Sequence, residues 1–266
     1  MSDNTPLAER MKQHEAPYRA VLPRRTYTLI RVDGRAFHTY LTGAQRPFDE
    51  AFMADMDAAA EALCTEITGA RFAYTQSDEI SVLATDFDTP TTQPWFGGVT
   101  AKQISIAASL ATAVLNERRP GRRALFDARV FTINDPVEVA NYFIGRQRDA
   151  VSNSISMAAQ AHFPHQRLHG VNSAGMQELL WSEKGVNWND YPDGCKRGRV
   201  TERRTGERLV AYTDKRTNQR NATMAMRSWW ESSPAPHFTT EPSSWLAQVV
   251  PPLPALNPAT PDPQEQ

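Results

Sequence analysis

The 266-residue sequence predicts an α+β fold built on a ferredoxin-like βαββαβ unit, and three observations carry that expectation. Four short runs have the composition of strands: "TYTLIRV" at 26–32, residues 71–76 and 80–84, and "FDARVFTI" at 126–133. Amphipathic helical stretches separate the first run from the second and the third from the fourth. The middle two are joined by a tight Ser77-Asp78-Glu79 turn.

Each element has a local reason. The first run is β-branched and aromatic and stops at Asp33-Gly34, a breaker pair. Within 49–67, Phe52, Met53, Met56, Ala60, Leu63, Cys64 and Ile67 recur at three and four, and Asp49 is a natural N-cap. "FGGVTAKQISIAASLATAVLNERR" supplies Gly97-Gly98, Thr100 as an N-cap, and a helix whose terminal Arg118 and Arg119 suit its dipole. Right-handed crossovers set the first two strands parallel, with the third between them and antiparallel to both. Asp33 and Asp78 then meet at one end of the sheet, on neighbouring strands about 5 Å apart.

Beyond the sheet, 136–162 reads as a long helix and 173–181 as a short one. The stretch 196–227 is rich in arginine and lysine. From Ser232 the chain is Pro-rich; "SSWLAQVVP" is expected to pack onto the body, and the last dozen residues to be disordered. A net charge of −1 requires any nucleic-acid partner to be met by a local patch. Two cysteines make neither a disulfide framework nor a four-ligand zinc site unaided, and Cys64 falls on a core stripe. His162, His165 and His169 lack a familiar metal spacing, with Pro164 between them. The N-terminus has no signal-peptide run and no stretch approaches a membrane span, so the chain is expected to be soluble and cytoplasmic, with no membrane partner.

Two carboxylates converging at a sheet end repel unless they share a cation. Mg²⁺ takes one or two carboxylates plus water and substrate phosphates, and a pair of such ions can activate a hydroxyl and stabilise a leaving pyrophosphate. Gly34 lets its carbonyl approach an ion, and "GRAFHTY" offers successive backbone N–H groups to a triphosphate. Lys102, in the first turn of a helix, opposes the dipole there and reads as a phosphate contact or a solvated lysine. Arg31 and His38 flank the Asp33-Gly34 pair and can also reach phosphates.

"RVDGRAFH", "YTQSDEIS" and "YFIGRQRDAVSNSI" resemble motifs of the tRNA-His guanylyltransferase family, specifically its bacterial-type members, over about Met11 to Pro251. The resemblance implies a polymerase-like palm that adds nucleotides 3′-to-5′ at a tRNA 5′ end, with ATP and/or GTP as substrates. It implies that Asp33, Gly34 and Asp78 hold two Mg²⁺, with Glu79 as a supporting acid, so that Asp33, Asp78 and Glu79 form the catalytic set. Nucleotide contacts fall on Asp33, Gly34, Arg35, Ala36, Phe37, His38, Ser77, Asp78 and Lys102, and RNA contacts on Arg148, Asn153, Lys196, Arg197 and Arg199. On this reading 1–135 is the catalytic palm, 136–250 a helical, basic extension contacting RNA, and 251–266 a tail; the assembly is a homotetramer.

Two positions depart from the family pattern. Enzymes dedicated to tRNA-His carry His-Ile-Asn-Asn where this chain has Val151, Ser152, Asn153 and Ser154, which implies template-dependent 5′-end repair instead. Gly145 stands where relatives have a bulky aromatic, and a mid-helix glycine costs about 1 kcal/mol relative to alanine. Dedicated guanylate addition, a palm-fold nucleotide cyclase and a non-catalytic RNA-binding module remain as alternatives. The last would present paired aromatics for stacking, but carboxylates stand here where RNA would meet repulsion.

Overall fold

The structure, a computed structural model, describes residues 6–239 and 245–254. Its frame is a six-stranded antiparallel sheet in the order β4-β1-β3-β2-β5-β6. The strands are β1 Tyr27–Gly34, β2 Ala70–Gln76, β3 Glu79–Thr85, β4 Phe126–Ile133, β5 Arg199–Thr213 and β6 Arg220–Pro234. Among the described residues the α-helices are α1 Leu7–Glu15, α2 Phe37–Tyr40, α3 Glu50–Glu66, α4 Thr100–Arg118, α5 Pro136–His162, α6 His165–Leu168, α7 Ser173–Lys184, α8 Asp193–Arg197 and α9 Trp245–Val249. None is long and apolar enough to cross a membrane.

Alternation along the strands divides the core. Ile30, Val32, Ile80 and Val82 face α3 and α4, meeting Met56, Leu63, Ala107, Ala111 and Leu115. Tyr27, Leu29, Tyr74 and Leu83 face the other way, onto Val139 and Phe143 of α5 and Leu246 of α9. The second face therefore seats the described part of "SSWLAQVVP", from Trp245 onward, as expected, with Leu246 fully buried. The disorder expected for the last dozen residues falls outside the described ones.

Helix α3 begins as the sequence predicts, the Asp49 carboxylate accepting the Phe52 N–H at 2.7 Å. Three details differ. Val99, not Thr100, holds the cap position of α4, with no side-chain cap. The turn between β2 and β3 is only Ser77-Asp78, because Glu79 already pairs with Gln76 and Asp33. The basic stretch, which the sequence left without strands, forms β5 and β6, and β5 joins the sheet through Phe72–Glu202 to Thr75–Arg199. Past Glu202, β5 has only β6 beside it, and the two project as a ribbon.

Candidate active site

Strand register assembles the carboxylate end. Asp33 lies opposite Glu79 on β3 and opposite Asp127 on β4, so three acids form a row on the α5 side. One pleat behind stands the row Ser81, Arg31, Arg129. The Gly34 N–H donates to the Asp78 carbonyl at 3.1 Å, fixing the turn against β1. A Cβ at Gly34 would stand 2.8 Å from Asp78 Oδ2 and 2.4 Å from the Phe37 ring, so only glycine admits this approach. Ser77 holds φ 49°, the left-handed region, at the first central position of a two-residue hairpin, where glycine is the usual choice.

The acids are treated differently. Burial pushes the Asp78 carboxyl above its ordinary range, its own N–H and the Ser77 hydroxyl counter this, and the charges of Asp33 and Glu79 add to the rise. Asp33 remains partly open, with Arg31 and Arg129 each 3.4 Å away. Glu79 is buried and claimed: Arg31 Nη2 lies 2.6 Å from Oε2, and Arg146 donates from Nε to Oε1 at 2.7 Å and from Nη2 to Oε2. The acid expected to support Asp33 and Asp78 is thus engaged by arginines in this structure. Its charge is neutralised by two arginines, a bidentate pair among them, and it orients Arg31 beside Asp33. Arg129 and Arg146 escaped sequence reasoning; the two-residue spacings Arg31–Asp33 and Asp127–Arg129, on aligned strands, were the available signal.

A cavity of about 370 Å³ adjoins Asp78. It brings together Phe37, His38, Ser77, Asp78, Asn153 and Arg199, and Phe48, Phe52 and Met157 give it apolar walls. Ala36 adopts φ 57° ahead of α2. The N–H groups of Ala36, Phe37 and His38 have no acceptor among the described residues, whereas that of Arg35 donates to the Leu125 carbonyl. Three successive donors, not four, are therefore free there.

Other predicted contacts lie elsewhere. Helix α4 starts at the opposite end of the sheet, where Gln103 borders Thr28 and Ala84, and finishes near Phe126, whose N–H donates to Thr112. Lys102 is thus on the order of 17 Å along the strands from Asp33, and within one chain it does not reach the carboxylates. Lys196 is buried, donating to the Asn189 carbonyl at 2.6 Å and pairing with Asp193 at 3.1 Å. Arg197 also pairs with Asp193, and buried Arg199 pairs with Asp57 and donates to the Met53 carbonyl. The expected RNA grip of Lys196 and Arg199 is corrected accordingly: their charges are consumed inside the fold. Arg148 and Asn153 are exposed on α5.

An antiparallel ferredoxin-like sheet with aspartates gathered at one end, beside a nucleotide-sized cavity, defines a palm-type nucleotidyltransferase. The sequence model described as tRNAHis guanylyltransferase matches residues 8–134. Among solved structures, a bacterial tRNA(His) guanylyltransferase-like protein in complex with ATP is 45% identical, covering 74% of this chain and 88% of that one, with TM-score 0.71. A similar bacterial protein in complex with GTP is 38% identical, covering 88% and 94%, with TM-score 0.70. The tRNA(His) guanylyltransferase of Schizosaccharomyces pombe is 28% identical over 211 residues, 72% of this chain and 78% of that protein. The chain belongs to the tRNAHis guanylyltransferase family.

Proposed function

We propose that the chain adds nucleotides in the 3′-to-5′ direction to the 5′ end of tRNA, as template-dependent repair, with ATP or GTP as substrates. The observation that carries this is the close apposition of Gly34 and Asp78 beside an open Asp33 and the cavity. The donors suit Mg²⁺: all are hard oxygens, the missing Gly34 side chain leaves room, and burial, with the charges of Asp33 and Glu79 adding to it, raises Asp78. Asp33, the Gly34 carbonyl and Asp78 would hold the ions, which when bound neutralise a triphosphate and ease deprotonation of a hydroxyl.

The residues of the chain do the rest. The apolar cavity walls receive a base, and the free N–H groups of Ala36 to His38 accept phosphate oxygens. Arg31 and Arg129 place positive charge beside Asp33, and Glu79 keeps Arg31 from swinging away. Two displacements follow. The RNA 5′-phosphate attacks the α-phosphorus of an NTP and pyrophosphate leaves. The 3′-hydroxyl of a second NTP then attacks the activated phosphate, and a nucleoside monophosphate leaves.

Two features favour repair over dedicated addition to tRNA-His. Val151 stands where that motif has histidine, and Ser154 is buried, accepting from Trp188 Nε1 at 3.2 Å. The test uses a tRNA lacking its first nucleotide, 5′-phosphorylated, with the opposing base varied. The added nucleotide is expected to follow that base. Guanylate added regardless, and to tRNA-His alone, establishes dedicated addition; cyclic nucleotide formed from NTP without RNA establishes a cyclase.

A further inference from the structure

Of the side chains that line the cavity beside Asp78, three are both polar and buried: Gln76, Ser154 and Arg199. Two of them are consumed inside the fold. The Ser154 hydroxyl donates to the Val151 carbonyl at 2.8 Å and accepts from Trp188 Nε1, and Arg199 is paired with Asp57. Gln76 is 5% exposed, and neither polar atom of its carboxamide has a hydrogen-bond partner among the described residues. A buried amide held in this way costs stability unless a further group meets it.

Its position says which group that is. Gln76 pairs with Glu79 and Glu79 with Asp33, so the three stand in one row across β2, β3 and β1. Alternation along β2 turns Gln76 to the side of Phe72 and Tyr74, toward α5, whose Ala150, Asn153 and Met157 wall the cavity. Two strand spacings, about 10 Å, separate it from Asp33. A nucleotide with its α-phosphate at the aspartates reaches that far with its base. The Watson–Crick edge of every base sets a donor beside an acceptor, and a carboxamide carries both and can turn over. We infer that Gln76 reads the base edge of the NTP that activates the RNA 5′-phosphate, and that it takes adenine and guanine alike. The incoming nucleotide is excluded from this contact, because template pairing occupies the same edge. The inference rests on the proposed two-step transfer and names the activating substrate of that site.

The experiment compares the full chain with Q76M and Q76E in Mg²⁺. Calorimetry measures affinity for the α,β-methylene analogues of ATP and GTP and for tripolyphosphate, which has no base. Q76M keeps the length of the side chain and removes both polar atoms. It should lose about tenfold for each nucleotide, the scale of one or two hydrogen bonds, keep its affinity for tripolyphosphate, and melt no lower than the wild type. Q76E presents acceptors only when ionised. Guanine offers it two adjacent donors and adenine one, so the GTP-to-ATP affinity ratio should rise about tenfold. That ratio is taken within one variant, so a partly unfolded sample does not move it. Unchanged nucleotide affinity in Q76M, an equal loss for tripolyphosphate, or an unchanged ratio in Q76E overturns the base contact alone. A Q76M chain that melts lower with its nucleotide affinity intact assigns the amide to the core and overturns the contact too. If Q76E alters which nucleotide is added opposite a given template base, the contact belongs to the incoming nucleotide, and the activating role is overturned. A wild-type chain that binds neither nucleotide overturns both this inference and the functional reading.

Discussion

The carboxylate end of the sheet and the α8 segment were both predicted to meet charged ligands, and they use their charges in opposite ways. At the sheet end, Asp33 stays partly open and Asp78 has no cationic partner among the described residues. In α8 and the residue that opens β5, Lys196, Arg197 and Arg199 are all paired with Asp193 or Asp57. The difference lies in what the fold supplies nearby. Asp193 is three and four residues from Lys196 and Arg197, a spacing that closes ion pairs on one helical turn, whereas cross-strand register stacks acids upon acids. A charge signals ligand binding only when its neighbours leave it uncompensated.

Substitution can break that contrast at either end. D33A or D78A should lower nucleotide addition by on the order of 10³-fold in a single-turnover assay, the scale of lost metal-centred charge stabilisation. For D78A the melting temperature should hold or rise, since a buried acid with no cationic partner among the described residues has gone. Near-wild-type turnover would remove both aspartates from the chemistry. R199A should do the reverse. It strands Asp57, which burial already holds above its ordinary pKa against the opposing pull of Arg199, and should cost about 3 kcal/mol, lowering the melting temperature by roughly 6–12 °C. The salt dependence of tRNA binding should not change, because no phosphate contact is lost.

The pH dependence sharpens the contrast. The folded Asp78 carboxyl binds its proton more tightly than the unfolded one, so stability falls as pH rises from the unfolded to the folded pKa. Thermal melts from the ordinary carboxylate range to neutrality should show this decline in the wild type and a smaller one in D78N. Excess Mg²⁺ at neutral pH should recover the wild type only. The smallest effect expected is at Gly145, where a Cβ meets nothing within 4 Å. G145A should stabilise by about 0.5–1 kcal/mol in denaturant titrations, with turnover unchanged.

Legibility followed burial. β4 and α5 have the bounds their sequence patterns predict: α5 presents a regular apolar stripe to the core, and β4 is an apolar-rich edge strand anchored at Phe126. The β5–β6 ribbon was illegible because both its faces meet solvent past Glu202, and "RRTGERLVAYT" has no apolar side to alternate. Pairing of Asp33 with Asp78 was legible because topology alone decides it. The same topology already excluded Lys102: β3 runs away from the turn, so the helix after it must begin at the far end. The Arg31–Glu79–Arg146 clamp was not legible, since sequence does not say which turn of α5 crosses which row of the sheet.

Gly34 carries the sharpest restriction on how this chain can vary. An aspartate lost from the sheet end can be restored by one reversion, or its charge mimicked by a neighbouring acid. A methyl group at position 34 has nowhere to go: backbone, the Phe37 ring and the Asp78 carboxylate meet there, and relief of one contact tightens another. Across any set of related sequences, and in any library built on this one, that position should therefore accept fewer alternatives than the acids beside it. Its contribution is an unfilled volume, and no side chain can substitute for that.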